Sequence, residues 1–324
     1  HDAVTRQGGT GGVPEGGGAG LKKAIVTGAT GFIGKALCEE LLNCDYEVTA
    51  IVRPGSTQIY KLGNMLQTGR FNIIETELDG IEDADNIPTE ADVFYHLAWN
   101  GSAGSDREDF NMQYCNIAYT AKAVSVAARC GCRAFVGAGS QAEYGVVHGT
   151  ANEDTTAPNP FMMYGAAKLA SYHMGRLVAT QKGIRLIWPR IYSVYGVGEN
   201  DGTLMSYLVK SLINGQVPEL SPCTNMWNFM YITDCVRALR MLGEYPDACG
   251  IYNVASGDTR LLKDYVNEAC SILAPQISPR FGAKQSNPDR TFWLEPDVDR
   301  LRQTGFECEV SFEEGIRKNQ SFQS

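Results

Sequence analysis

Short apolar runs alternate with longer segments of helical period along most of this chain. Lys23–Thr27 (KAIVT) is the first run, and it ends in a glycine-rich turn. Phe32–Leu42 then spaces its apolar residues three and four apart, as a helix does. Glu47–Val52 (EVTAIV) is the next run, and further strands are predicted at Phe71–Ile74, Val93–His96, Phe135–Ala138 and Ile184–Trp188. Helices are predicted between them, the longest at Asp109–Arg129 and Phe161–Gln181. This alternation predicts an α/β fold, a doubly wound parallel sheet covered on both faces.

After about residue 192 the pattern loosens. Gly196, Gly198, Pro218 and Pro222 punctuate it, and the helices predicted at Leu204–Ile213, Thr233–Leu242 and Leu261–Leu273 are shorter. Residues 21–192 are therefore read as a dinucleotide-binding core. Residues 193–324 are read as mainly a smaller substrate lobe, interleaved with the last core elements. Residues 1–20 are Gly-rich and lack the apolar stretch of a signal peptide, so they are read as a flexible leader or tag outside the fold.

Composition narrows the function classes. The net charge of −9 argues against nucleic acid or an anionic membrane as partner. No apolar run reaches the roughly 20 residues of a membrane span. The 10 cysteines form no ligand pattern: Cys130 and Cys132 lack a second pair, so no metal is expected. Reduced cysteines packed in a core fit a cytoplasmic protein.

Two sites carry chemistry. In VTGATGFIGKAL, Gly28, Gly31 and Gly34 stand three apart after a strand and at the start of a helix. Gly28 suits the tight turn, Gly31 a close approach to a pyrophosphate, and Gly34 close packing of helix on sheet. The free N–H groups of the helix start would then face the phosphates. This is a Rossmann dinucleotide turn, with Thr30, Phe32 and Ile33 in contact range of the cofactor. The next strand ends in Ile51-Val52-Arg53-Pro54, without the acidic residue that holds an NAD ribose 2′-OH. A guanidinium pairs well with a 2′-phosphate, so Arg53 points to NADP(H) over NAD(H).

The second site is Tyr164-Gly-Ala-Ala-Lys168. Its i,i+4 spacing puts phenol and ammonium on one helix face. A nearby ammonium should lower the phenol pKa and let Tyr164 exchange a proton near neutral pH. Ser140, in GAGSQAEYG, lies just beyond the strand before that helix, at the edge where open α/β folds bind ligands.

TGATGFIG resembles the TGxxGxxG turn of the extended short-chain dehydrogenases/reductases, the NAD-dependent epimerase/dehydratase family. HLAW at His96–Trp99 resembles the family's HLAA segment, YG recurs at Tyr144 and Tyr195, and FMYITD at Phe229–Asp234 resembles a motif near the substrate lobe. The similarity runs through most of Leu21–Lys318. It implies that Ser140 stabilises the carbonyl oxygen, Tyr164 is the acid or base, Lys168 also holds the nicotinamide ribose, and Asn116 supports that lysine. It adds Leu78, Leu97 and Ala98 to the cofactor site. Trp99, Gln141 and Trp227 are expected at the substrate, and Arg290 at its phosphates. Arg190 is expected in a structural ion pair; His148 and His173 receive no role. The two long helices carry more apolar residues than one buried face needs, and in the family such helices form a homodimer.

The resemblance also narrows the reaction. Dehydratases of the family carry T-D-E-V-Y-G where this chain has Ser140-Gln141-Ala142-Glu143-Tyr144. Gln141 is no acid, Ala142 has no proton to give, and Glu143 would face away if the segment is extended. Epimerase-reductases of deoxy-sugar synthesis use a Cys after the Ser and a later His, and PRIYSVYG has none. The remaining expectation is an NADPH-dependent 4-ketoreductase of a nucleotide-activated 4-keto-6-deoxyhexose, similar to the CDP-abequose synthases. The alternatives are a nucleotide-sugar 4-epimerase with tightly bound NAD, a reductase of non-nucleotide ketones, and a non-catalytic NADP(H)-binding sensor.

Overall fold

A computed structural model describes residues 20–285 and 292–323. The elements run β1 (Lys22–Thr27), α1 (Phe32–Asn43), β2 (Tyr46–Val52), α2 (Gly63–Leu66), β3 (Phe71–Glu75), β4 (Val93–His96), α3 (Phe110–Arg129), β5 (Ala134–Gly137), β6 (Gly139–Ser140), α4 (Met163–Lys182) and β7 (Arg185–Ile191). Then follow β8 (Ser193–Tyr195), α5 (Leu204–Ile213), β9 (Met226–Tyr231), α6 (Ile232–Glu244), β10 (Gly250–Val254), β11 (Thr259–Leu261), α7 (Leu262–Leu273), α8 (Asp299–Arg302) and α9 (Phe312–Gln323).

The main sheet has the order β3-β2-β1-β4-β5-β7-β10, with β6 beside β7, and its pairings are parallel. Parallel strands are covered on both faces, which is why β4 and β5 are buried along their whole length. Alternate residues divide between two cores. Ala24, Val26, Tyr95 and Val136 join Leu37 and Leu41 of α1 and Val236 and Leu239 of α6. Ile25, Phe94 and Phe135 join Ala123, Val124 and Ala127 of α3 and Ala179 of α4. The two cores are the period-2 geometry of a strand read from opposite sides.

Element ends depart from the apolar pattern where polar chemistry decides. Helix α3 begins at Phe110 because Asp109 caps it, its carboxylate accepting the Met112 N–H at 2.8 Å. Helix α4 ends at Lys182 because Gly183 turns left-handed, φ 70°. Strand β7 runs past Trp188 to Ile191, although Pro189 interrupts its donors. Its neighbours explain the tolerance: β5 pairs only as far as Ile187, and β6 resumes at Arg190. Pro189 therefore falls at a break in the sheet, beside Ala138.

Beyond β7 the chain builds a small sheet, β11-β9-β8, over α5, α7 and α9. Tyr195, Phe229, Tyr265 and Phe312 form its aromatic centre. Strand β10 returns to the main sheet and pairs with β7.

Candidate active site

The chain leaves β1 for a helix on one face of the sheet and leaves β4 for a helix on the other. Ligands of open α/β sheets bind at such a switch point. A cleft of about 710 Å³ opens there. Thr27, the last residue of β1, sits opposite Ile51 and His96 and holds the floor: its hydroxyl bonds His96 Nδ1 at 2.9 Å and accepts the Ala98 N–H at 3.3 Å. Burial keeps His96 neutral, with its pKa pushed down to about 3.

The glycine turn is built for close approach. Gly28 is left-handed, φ +74°, and a Cβ there would lie 2.6 Å from the Ala98 nitrogen. A Cβ on Gly34 would lie 2.1 Å from the Gly28 carbonyl oxygen. Helix α1 thus starts directly under the turn, with no acidic residue in its first turn to oppose an anion. The cleft continues over Val52, Arg53 and Ser56 to Thr76 and Leu78. Arg53 lies in a turn closed by Ser56 N–H donating to the Arg53 carbonyl, 3.1 Å, and makes no ion pair among the described residues.

Three reactive groups converge at the other end. Tyr164 and Lys168 lie one turn apart on α4, both buried, and Ser140 lies beside them at the end of β6. The neighbouring Ser140 hydroxyl favours the ionised form of Tyr164. Burial outweighs this and pushes the Tyr164 phenol above its ordinary range. Lys168 shares the buried face of Tyr164 as expected, but its ammonium is hydrogen-bonded elsewhere. Lys168 Nζ donates to the Ala138 carbonyl at 2.6 Å, the carbonyl at the break in the sheet. It also sits 3.6 Å from the centroid of the Trp99 ring, and 5.6 Å from that of Tyr164. Burial pushes Lys168 down to about 7. The lysine charge is therefore both displaced from the phenol and weakened by desolvation.

Ser140 is fixed from behind. The segment Gln141–Glu143 is a short 3-10 turn, not extended chain. Glu143 still faces away from the cleft, as expected, but does so by folding back behind Ser140, fully buried. Its Oε1 accepts the Ser140 N–H at 2.9 Å and the Trp188 indole N–H at 2.9 Å, and its Oε2 accepts the Arg190 Nε–H at 2.8 Å. Arg190 is in the ion pair expected of it, with its guanidinium 4.1 Å from the Tyr144 ring centroid.

The loop after β4 forms the roof. Gln113, buried on α3, accepts the Trp99 indole N–H at 2.9 Å and donates to the Gly101 and Asp106 carbonyls at 2.7 and 2.9 Å. Asn116 also serves this loop. Its amide accepts the Asn100 N–H at 3.0 Å and donates to the Asn100 carbonyl at 2.9 Å. Asn116 makes no direct hydrogen bond to Lys168 among the described residues: its side chain holds the turn that carries Trp99, and Trp99 touches the lysine. The pinned loop also brings in Arg107, whose guanidinium carbon is 4.8 Å from the Tyr164 ring centroid.

Comparison with known proteins bears on what this cleft is. A family model described as NAD dependent epimerase/dehydratase family matches residues 24–255. The chain belongs to that family. It is 28% identical over 313 residues to the ADP-L-glycero-D-manno-heptose-6-epimerase of Nitratidesulfovibrio vulgaris, covering 90% of this chain and 93% of that one. It is 23% identical over 314 residues to the CDP-abequose synthase of Salmonella muenchen, covering 92% and 96%. The fold matches the UDP-glucuronic acid 4-epimerase of Bacillus cereus, solved with NAD, with a TM-score of 0.78 at 23% identity, over 93% of this chain and 96% of that one.

Within this family member, one cleft brings together nearly all the residues singled out in the sequence. Gly28, Thr30, Gly31, Phe32, Ile33, Gly34, Arg53, Leu78, Leu97 and Ala98 line its long arm. Trp99, Ser140, Gln141, Tyr164, Lys168 and Trp227 line the reactive end. Asn116 stands behind the wall, and Arg290 lies outside the described residues. The Trp227 indole N–H is buried without a partner among the described residues. Sequence reasoning missed Arg107 and Asn200, which also face the cleft. Both sit in Gly- and Ser- or Asp-rich loops, where no periodicity signals which side chain turns inward. His148 lies away from the cleft, against Trp293, and His173 against Tyr172.

Proposed function

We propose that this enzyme reduces a nucleotide-activated 4-keto-6-deoxyhexose to the 4-hydroxy sugar with NADPH. The observation that carries the reading is Arg53, an exposed guanidinium without a carboxylate partner among the described residues, at the end of β2 on the rim of the cleft, where an adenosine ribose would lie. A 2′-phosphate would satisfy it bidentately. The glycine turn and the start of α1 suit the cofactor diphosphate, with Leu78, Leu97 and Ala98 against its rings. Lys168 would hold the nicotinamide ribose. When bound, the nicotinamide supplies a hydride. The chain's own residues do the rest: Ser140 donates to the carbonyl oxygen, and Tyr164 gives that oxygen its proton. Trp99, Gln141 and Trp227 would border the sugar, and Arg290 would serve its phosphates. The likeness to a CDP-abequose synthase over nearly the whole chain supports this choice of substrate. A cytoplasmic homodimer is part of the same reading. Phe110, Tyr114, Met174 and Leu177 leave an apolar face on α3 and α4, which a second copy would cover.

The second reading is a nucleotide-sugar 4-epimerase holding NAD, favoured by the epimerases among the relatives. The third is a non-catalytic NADP(H)-binding sensor. The test is a panel of nucleotide-4-keto-6-deoxyhexoses with NADPH or NADH, followed by loss of reduced-nicotinamide absorbance. The proposal expects consumption of NADPH, and an Arg53→Ala variant whose NADPH preference falls by about 10–100-fold, the worth of a charge-assisted contact. NAD released from the purified protein, with no net consumption, supports the epimerase. No oxidation across the panel removes the reductase.

A further inference from the structure

The proton-exchanging role of Tyr164 raises a question about charge. The phenol must reach its ionised form in one direction of the reaction, yet burial opposes this and Lys168 has turned to Ala138 and Trp99. The groups facing Tyr164 come from three elements. Lys168 shares its helix, Ser140 and Glu143 lie on the turn after β6, and Trp99 and Arg107 lie on the loop after β4. Glu143 is neutralised by Arg190. Glu108, next to Arg107, accepts the Met163 N–H at 3.3 Å, at the start of α4. Among the described residues, the guanidinium directed at the phenol ring is that of Arg107, 4.8 Å from its centroid.

Arg107 is not placed there by chance of a surface rotamer. Its Nε donates to the Ser102 carbonyl at 2.7 Å, within its own loop. That loop is tied at both ends to buried Gln113 through Gly101 and Asp106. The guanidinium is thus held at the mouth of the cleft, lining it together with Ser102 and Tyr164. Unlike a lysine, a guanidinium keeps its charge when partly desolvated.

We propose that Arg107 is a positioning residue for proton transfer: with its guanidinium carbon 4.8 Å from the Tyr164 ring centroid, it supplies a permanent positive charge that stabilises the phenolate. Lys168 Nζ stands 5.6 Å from the same ring centroid, so the charge of Arg107 adds to that of the lysine rather than replacing it. The proposal rests on Tyr164 being the group that exchanges the proton.

The test needs no substrate, so its failure is separable from failure of the proposed reaction. Protein labelled throughout with 3-fluorotyrosine, whose phenol ionises at lower pH, is titrated by ¹⁹F NMR. The Tyr164 signal is identified by its loss in Tyr164→Phe. Arg107→Gln should raise the Tyr164 midpoint by about 1–2 pH units, the size expected of one unit charge at this distance in a partly screened site. Arg107→Lys should recover that shift only in part, since a partly desolvated ammonium gives up its proton as the pH rises. Thermal unfolding of each variant checks that the fold is retained. A midpoint unchanged in Arg107→Gln overturns the proposal, as does a Tyr164 that fails to ionise in any of the proteins up to about pH 11.

Discussion

Glu143 holds the back of the site with three buried hydrogen bonds. Replacing it with Ala removes the acceptor of three buried donors at once: the Ser140 N–H, the Trp188 indole and Arg190 Nε. The larger effect is electrostatic. Glu143 and Arg190 are 0% and 1% exposed, so the variant leaves a guanidinium buried without its counter-charge. Breaking such a pair from one side costs about 3–5 kcal/mol, because no water replaces the lost partner. With about 300 ordered residues contributing about 2.1 cal/mol/K each, the unfolding entropy is about 0.6 kcal/mol/K, and the thermal midpoint should fall by about 5–8 °C. Urea unfolding should show the same loss with an unchanged m-value. The double variant Glu143→Leu/Arg190→Met removes both charges and should recover at least half of the loss. A loss below about 1 kcal/mol in Glu143→Ala would refute the reasoning, since a buried unpaired guanidinium cannot be that cheap. A double variant no better than the single would refute the electrostatic part alone.

Three further outcomes are expected. Tyr164→Phe should lower kcat by about 10²–10⁴-fold with the fold intact, and near-normal turnover would remove Tyr164 from proton transfer. Lys168 titrates at about 7 in the folded protein, against an ordinary value of 10.5, so the unfolded chain binds more protons between these limits. Stability should therefore rise with pH across that window by at most about 1.4 kcal/mol per unit from this group. In Lys168→Met that contribution should vanish, and identical pH profiles of wild type and variant would contradict it. Leu177, half exposed on α4, lies on the face proposed to meet a second copy; Leu177→Glu should convert a dimer to a monomer by light scattering, and a monomeric wild type at micromolar concentration would refute the interface.

The core strands were legible because burial on both faces makes them apolar throughout, and β4 matches its sequence pattern at both ends. Strand β7 runs past the predicted end at Trp188, because the break in the neighbouring strand that accommodates Pro189 is a tertiary feature. Gly28, Gly34, Tyr164 and Lys168 were legible because their spacings follow the chain's own turn and helix geometry. The direction of the Tyr164 pKa was not, since burial and the rotamer of Lys168 are invisible in one dimension. Glu143 lies away from the cleft as expected, but its buried bonds to Ser140, Trp188 and Arg190 come from a three-residue 3-10 turn rather than an extended strand. Asn116 was picked out correctly as a residue near the site, but its partner lies sixteen residues away in sequence, on a loop without period.

The return of β10 to the main sheet has a consequence for anyone who would recombine this protein with a relative. Asn253 in that strand knots three stretches of chain. Its N–H donates to Glu153 at 2.8 Å, its amide donates to the Ala151 and Asp297 carbonyls at 2.9 and 3.0 Å, and its Oδ1 accepts the Tyr144 hydroxyl at 2.9 Å. A cut near residue 192 would therefore not yield two transplantable modules. The donor of a new specificity lobe would have to bring its own edge strand and knot, or leave those of the host in place and exchange only the loops between them.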